Sequence, residues 1–131
     1  MTKDVVVVQM DEGLRQVVDK INHFKIRHVP VLSGNKLVGI VSRTDINRLS
    51  FSAIFPGVET ADDSILDMLT IEQVMVRHPR VVTRGTDIRE VAEILSTEEY
   101  HALPVVDDSD ENMLSGIVTT TDVIRYLLAQ Y

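Results

Sequence analysis

Apolar positions along this chain change period several times, and each change marks an element. Val5-Val6-Val7-Val8 is a short continuous apolar run, which predicts a buried strand. Asp11-Glu12-Gly13 then opens a helix, with Leu14, Val17, Val18 and Ile21 on one face and Phe24 and Ile26 closing the unit. His28 to Leu32 predicts a second strand and Lys36 to Val41 its partner. Ser33-Gly34-Asn35 between them is turn chemistry, because Gly and Asn tolerate positive φ. Ser42 begins a helix running through Ile46 and Leu49.

The order then recurs. Ile71-Glu72-Gln73-Val74-Met75 leads in, Val81-Val82 predicts a strand, and Thr86-Asp87 opens a helix carrying Ile88, Val91, Ala92 and Leu95. Leu103 to Val106 and Leu114 to Val118 predict a strand pair around the acidic loop Asp107 to Asn112. A last helix runs from Asp122 to about Gln130, with Val123, Tyr126 and Leu127 on one face. The recurrence is internal duplication. Pro30 to Pro104, Leu14 to Ile88 and Val17 to Val91 are steps of 74; Gly39 to Gly116 and Asp45 to Asp122 are steps of 77. Three residues have been added between the second pair of strands. The chain divides into a first repeat over 1–50, a connecting segment over 51–70 and a second repeat over 71–131. In the connection, Ile54, Phe55 and Val58 are apolar and Pro56-Gly57 breaks the chain. A short helix is predicted over Ser64 to Leu69.

Composition narrows the class. A length of 131 residues suits one compact domain or two half-size units sharing a core. No apolar run approaches the roughly 20 residues of a membrane helix, and no signal peptide is visible. The absence of cysteine leaves no disulfide framework and no thiolate metal site, so a cytoplasmic protein is expected. The net charge of −7 disfavours non-specific nucleic-acid binding, although a local cationic pocket for a small anion remains open. Glu59, Asp62 and Asp63 read as a solvated face, because they lack the spacing of a calcium loop.

Two motifs carry the candidate chemistry. Arg27-His28-Val29-Pro30-Val31-Leu32 is followed by Gly39-Ile40-Val41-Ser42-Arg43-Thr44-Asp45-Ile46. His101-Ala102-Leu103-Pro104-Val105-Val106 is followed by Gly116-Ile117-Val118-Thr119-Thr120-Thr121-Asp122-Val123. Ser42-x-x-Asp45 and Thr119-x-x-Asp122 are variants of the capping box. The same geometry presents N–H groups to an anion, and an ionised Asp can accept two hydrogen bonds from a ribose diol. Catalysis finds little support. There is no thiol, no His-Asp partner for Ser42 is identifiable, and His23 and His28 lie five apart, off a common helix face. His78 beside Pro79 reads as a loop residue. No metal site is expected.

These residues, with the Val74-Met75 lead-in, resemble a tandem CBS-domain pair, the regulatory Bateman module. The resemblance covers nearly the whole chain outside the connection. Met1 is the counterpart of Met75 and no Ile71–Val74-like lead-in stands before it, so either the chain was cut there or the first repeat lacks that element. The resemblance implies an α+β fold of two β-α-β-β-α repeats about a pseudo-two-fold axis, with clefts for adenine nucleotides or other adenosyl ligands. It also implies a homodimer and a separate regulated partner, without catalysis or a tightly held cofactor. By position it gives the ribose role to Asp45 and Asp122. The phosphate side falls to Ser42, Thr119, Arg27, His28, His101 and Thr44, with Arg43 and Arg84 weaker candidates. Val29, Pro30, Leu103 and Pro104 line the strand on the base side. A ligand-free dimerisation or docking module is the alternative.

Overall fold

The computed structural model describes residues 4–49 and 63–131. Met1 to Lys3 and most of the connection, including Ile54 to Val58, Glu59 and Asp62, lie outside the described residues. The chain forms two compact units, one of Val6–His78 and one of Pro79–Tyr131 together with the N-terminal residues up to Val5. No helix among the described residues is long and apolar enough to cross a membrane.

The first unit is a four-stranded sheet in the order β1-β2-β3-β4. β1 (Val8–Gln9) runs parallel to β2 (His28–Ser33); β3 (Lys36–Ser42) folds back antiparallel, and β4 (Val76–Arg77) pairs antiparallel on the far side of β3. Gly34, at φ +63°, makes the β2–β3 turn. The Gln9 side-chain amide clamps it, donating to Gly34 O and accepting from Gly34 N at 3.0 Å each. Helix α1 (Leu14–Phe24) buries Leu14, Val17 and Ile21 in a core with Val8, Val29, Val31 and Val41. Val18 is half-buried.

The predicted first strand is shorter than its apolar run: only Val8 and Gln9 pair. The reason is Pro30. Arg43 N donates to Arg27 O, so residues 27, 29 and 31 exchange hydrogen bonds with β3, and the Pro30 nitrogen faces β1. With Val8 opposite Val31, the next rung toward Val6 would need an N–H that proline lacks. The second repeat behaves alike. β5 is Val82–Thr83, not Val81-Val82, because pairing begins with Val82 opposite Val105, just past Pro104.

The end of the connection and the start of the second repeat complete this first unit. Helix α3 (Asp63–Met68) buries Ile65. Arg15 grips α3: its Nε and Nη2 donate to Asp67 Oδ1 and Oδ2 at 2.7 and 2.9 Å. That hydrogen-bonded guanidinium holds the Asp67 carboxyl below its ordinary value. Helix α4 (Ile71–Val74) is capped by Thr70, whose hydroxyl accepts from Gln73 N while Gln73 Oε1 accepts from Thr70 N. Ile71 and Met75 then enter the first core. The second sequence repeat begins at 71, but the first compact unit extends to His78.

The second unit holds the sheet β5-β6-β7, with β6 (Ala102–Val106) antiparallel to β7 (Leu114–Thr119). Helices α5 (Ile88–Thr97) and α6 (Thr120–Leu128) pack with it around Val82, Val91, Ile94, Leu103, Val105, Val118 and Val123. Val123 is buried, whereas Tyr126 and Leu127 are about half exposed. In α2 (Arg43–Asn47) and just beyond it, Ile46 and Leu49 pack against the first core and do not form an outward apolar face.

Both long connecting helices end in the left-handed region without glycine. Lys25 (φ 54°) closes α1, and its 74-step counterpart Glu99 (φ 59°) follows α5. A side chain there is strained by its Cβ. Lys25→Gly is therefore expected to raise stability by about 0.5–1 kcal/mol despite glycine's greater unfolded-state entropy. A urea midpoint that falls would contradict this.

Candidate functional site

The two S/T-x-x-D segments fold into the same local object. At the start of α2, Ser42 is extended (φ −106°, ψ 161°) and its Oγ accepts from Asp45 N at 3.0 Å, while Ser42 N donates to Asp45 Oδ2 at 2.9 Å. At the start of α6, Thr119 (φ −118°, ψ 165°) repeats the arrangement: Asp122 N donates to Thr119 Oγ1 at 3.1 Å, and Thr119 N donates to Asp122 Oδ2 at 2.9 Å. Each box satisfies two helix-end donors. Asp45 and Asp122 are half-buried. Each uses Oδ2 for the cap, and Oδ1 accepts no hydrogen bond among the described residues. The box therefore aims a carboxylate and leaves one oxygen for another donor.

The β hairpins bring the strand-entrance residues to these caps. Arg43 N donates to Arg27 O at 2.7 Å, and Thr120 N donates to His101 O at 2.9 Å. The Thr120 hydroxyl also donates to His101 O at 3.3 Å. Arg27, Arg43, Thr44 and His101 are exposed, and His28 is half-buried opposite Ser42 in the ladder. Val29, Pro30, Leu103 and Pro104 are fully buried, so on this side the strands offer backbone rather than side chains. Arg84 stands apart, after β5, where its N–H donates to Val106 O. Thr120 escaped the sequence reading; its 77-step relation to Arg43 was the available signal.

Two other polar features are locally accounted for. In the acidic loop, Ser109 donates its backbone N–H and its hydroxyl to Asp107 Oδ1, holding that carboxyl below its ordinary value. Asp108 Oδ1 accepts from Gly85 N, and Asp110 Oδ1 from Asn112 N. A recess of about 180 Å³ lies among Gln9, Met10, Asp11, Ser33 and Gly34, at the opposite end of the β2–β3 hairpin from Ser42.

The CBS domain matches residues 1–52 and 71–129 of the chain. The uncharacterized protein MJ1225 of Methanocaldococcus jannaschii is 34% identical over 128 residues, spanning 96% of this chain and 45% of that protein. Its crystal structure superposes with a TM-score of 0.79 at 32% identity, covering 97% of this chain and 45% of that one. CBSX2, solved in complex with AMP, gives 0.78 at 24% identity over 97% of this chain and 90% of CBSX2. The CBS domain pair of MJ0100, solved with 5-methylthioadenosine and S-adenosyl-L-methionine, gives 0.80 at 23% identity over 100% of this chain and 94% of that one. The last two likenesses speak to fold alone. The chain spans less than half the length of the curated relatives MJ1225 and MJ0188, 45% and 41% respectively. With both repeats matched and the fold shared, this chain belongs to the CBS-domain family and carries two CBS repeats in tandem.

Proposed function

We propose that the protein is a non-catalytic, cytoplasmic regulatory module that binds an adenine nucleotide or another adenosyl ligand at the strand–helix junction of each repeat. The carrying observation is the duplicated cap, which leaves Oδ1 of Asp45 and of Asp122 available to a ribose diol. Ser42, Thr119, Arg27, His28, His101, Arg43 and Thr44 stand on the phosphate side, and the backbone at Val29-Pro30 and Leu103-Pro104 on the base side. The complexes of CBSX2 with AMP and of MJ0100 with adenosyl ligands support the ligand class. A ligand of this kind regulates only by binding one arrangement of the protein better than another. On this reading the ligand is a signal to a regulated partner and not the cofactor of a reaction.

Calorimetry with AMP, ADP, ATP, S-adenosylmethionine and NAD tests this reading. Removing both carboxylates, Asp45→Ala with Asp122→Ala, is expected to weaken binding at least tenfold, about 1.4 kcal/mol. Asparagine at the same positions keeps one acceptor and loses less. Because each carboxylate also caps a helix, a thermal melt must first establish that the variant is folded. A folded double variant that binds like the parent removes the ribose assignment.

A second reading, a dimerising module, is favoured by the exposed Ile124, Tyr126, Leu127 and Leu128 of α6. Light scattering at high micromolar concentration decides it: a monomer mass excludes the homodimer.

A further inference from the structure

The two caps are alike, but the charges beside them are not. Arg27 and His101 are counterparts, as are Arg43 and Thr120; within each repeat one backbone hydrogen bond joins the two, Arg43 N to Arg27 O in the first and Thr120 N to His101 O in the second. In the first repeat that bond brings the backbones of two arginines together, one step beyond the His28–Ser42 rung of the ladder. Both side chains are exposed, and neither has an ion-pair partner among the described residues. Elsewhere Arg15, Arg77, Arg80 and Arg89 each reach a carboxylate. Arg48, Arg84 and Arg125 also make no ion pair among the described residues, but only Arg27 and Arg43 are joined to each other through the backbone. Like charges held opposite one another repel, and an anion between them reverses that cost. The second repeat offers an imidazole and a hydroxyl that is already donating to His101 O.

We propose that the two junctions are charge-graded: the first repeat selects polyphosphorylated adenosyl ligands through Arg27 and Arg43, and the second takes adenosyl ligands of lower negative charge. This rests on the ligand-binding reading above. The grading lies in side chains and not in the helix ends. Each added phosphate meets two guanidinium forks at the first junction and no permanent cation of the matching pair at the second. Adenosine itself should distinguish the junctions little. Because both arginines are exposed, the extra ATP affinity at the first junction should also fall faster with salt.

The test is calorimetry with adenosine and with ATP, without added magnesium, on proteins retaining one junction each. Asp122→Ala isolates the first, and Asp45→Ala isolates the second. The preference for ATP over adenosine is expected to be at least tenfold larger at the first junction. Arg27→His with Arg43→Thr, added to Asp122→Ala, should bring that preference within threefold of the second junction's. His101→Arg with Thr120→Arg, added to Asp45→Ala, should raise it at least tenfold. If both junctions bind adenosine but show equal preferences, or if the exchanges leave the preferences unmoved, charge grading is wrong while ligand binding stands. If the parent binds neither adenosine nor ATP, the ligand-binding reading falls and takes the grading with it. Should the exchange variants fail to fold, the two single-junction proteins still decide the comparison.

Discussion

Ile71→Ala is expected to destabilise the protein by about 2–5 kcal/mol, and to do so in the first unit. Ile71 has no exposed surface and packs with Val8, Leu14, Val29 and Val41. Truncating it leaves a cavity beneath the four-stranded sheet, and the cost follows from lost burial plus that cavity. The location is as informative as the size. Amide exchange should lose protection over β2 and β3 before β6 and β7. The urea midpoint should fall with little change in slope. A loss below about 1 kcal/mol, or loosening confined to the second sheet, would contradict the packing described for α4.

Gly39→Val is expected to cost about 3 kcal/mol or more, at the upper end of overpacking effects. A Cβ on Gly39 would lie 2.5 Å from Met75 Sδ and 2.9 Å from the Val76 carbonyl oxygen. The methionine side chain is flexible and can turn away. The carbonyl cannot, because Ile40 pairs with Val76 and Gly39 with Arg77 in the β3–β4 ladder. Gly39→Ala should cost less, and Met75→Ala in the same chain should relieve only the sulfur part of its clash. A double-mutant cycle separates the two contributions. If Gly39→Ala were neutral by urea titration, β4 would not lie against β3 as described.

Much of this fold was legible in the pattern of residues. Helices α1 and α5 follow from the spacing of Leu14, Val17 and Ile21 and of Ile88 and Val91, and the β2–β3 hairpin from Ser33-Gly34-Asn35 between apolar runs. The caps at Ser42 and Thr119 follow from side chains that can accept from a backbone three residues on. What was not legible depended on register. Val5 to Val7 have the composition of a strand but leave the ladder, because Pro30, in the neighbouring strand β2, has no N–H to give. β4 is two residues long and has no period to read. The Arg27–Arg43 neighbourhood crosses sixteen positions of sequence and exists only because the hairpin pairs His28 with Ser42. The duplication at 71 conceals a further point: a unit of sequence need not be a unit of packing.

The placement of β4 has a consequence for synthesis. A chain emerging from the ribosome presents β1, β2 and β3 well before Val76 and Arg77 appear, yet β3 borders solvent until they do. Its outer backbone groups form an open edge during that interval, of the kind that captures other strands. The first unit becomes complete only when the nascent chain has cleared His78. Slow translation within the connection would prolong the vulnerable interval, whereas a pause just after His78, with β4 free to dock, would let the sheet close before the second repeat arrives.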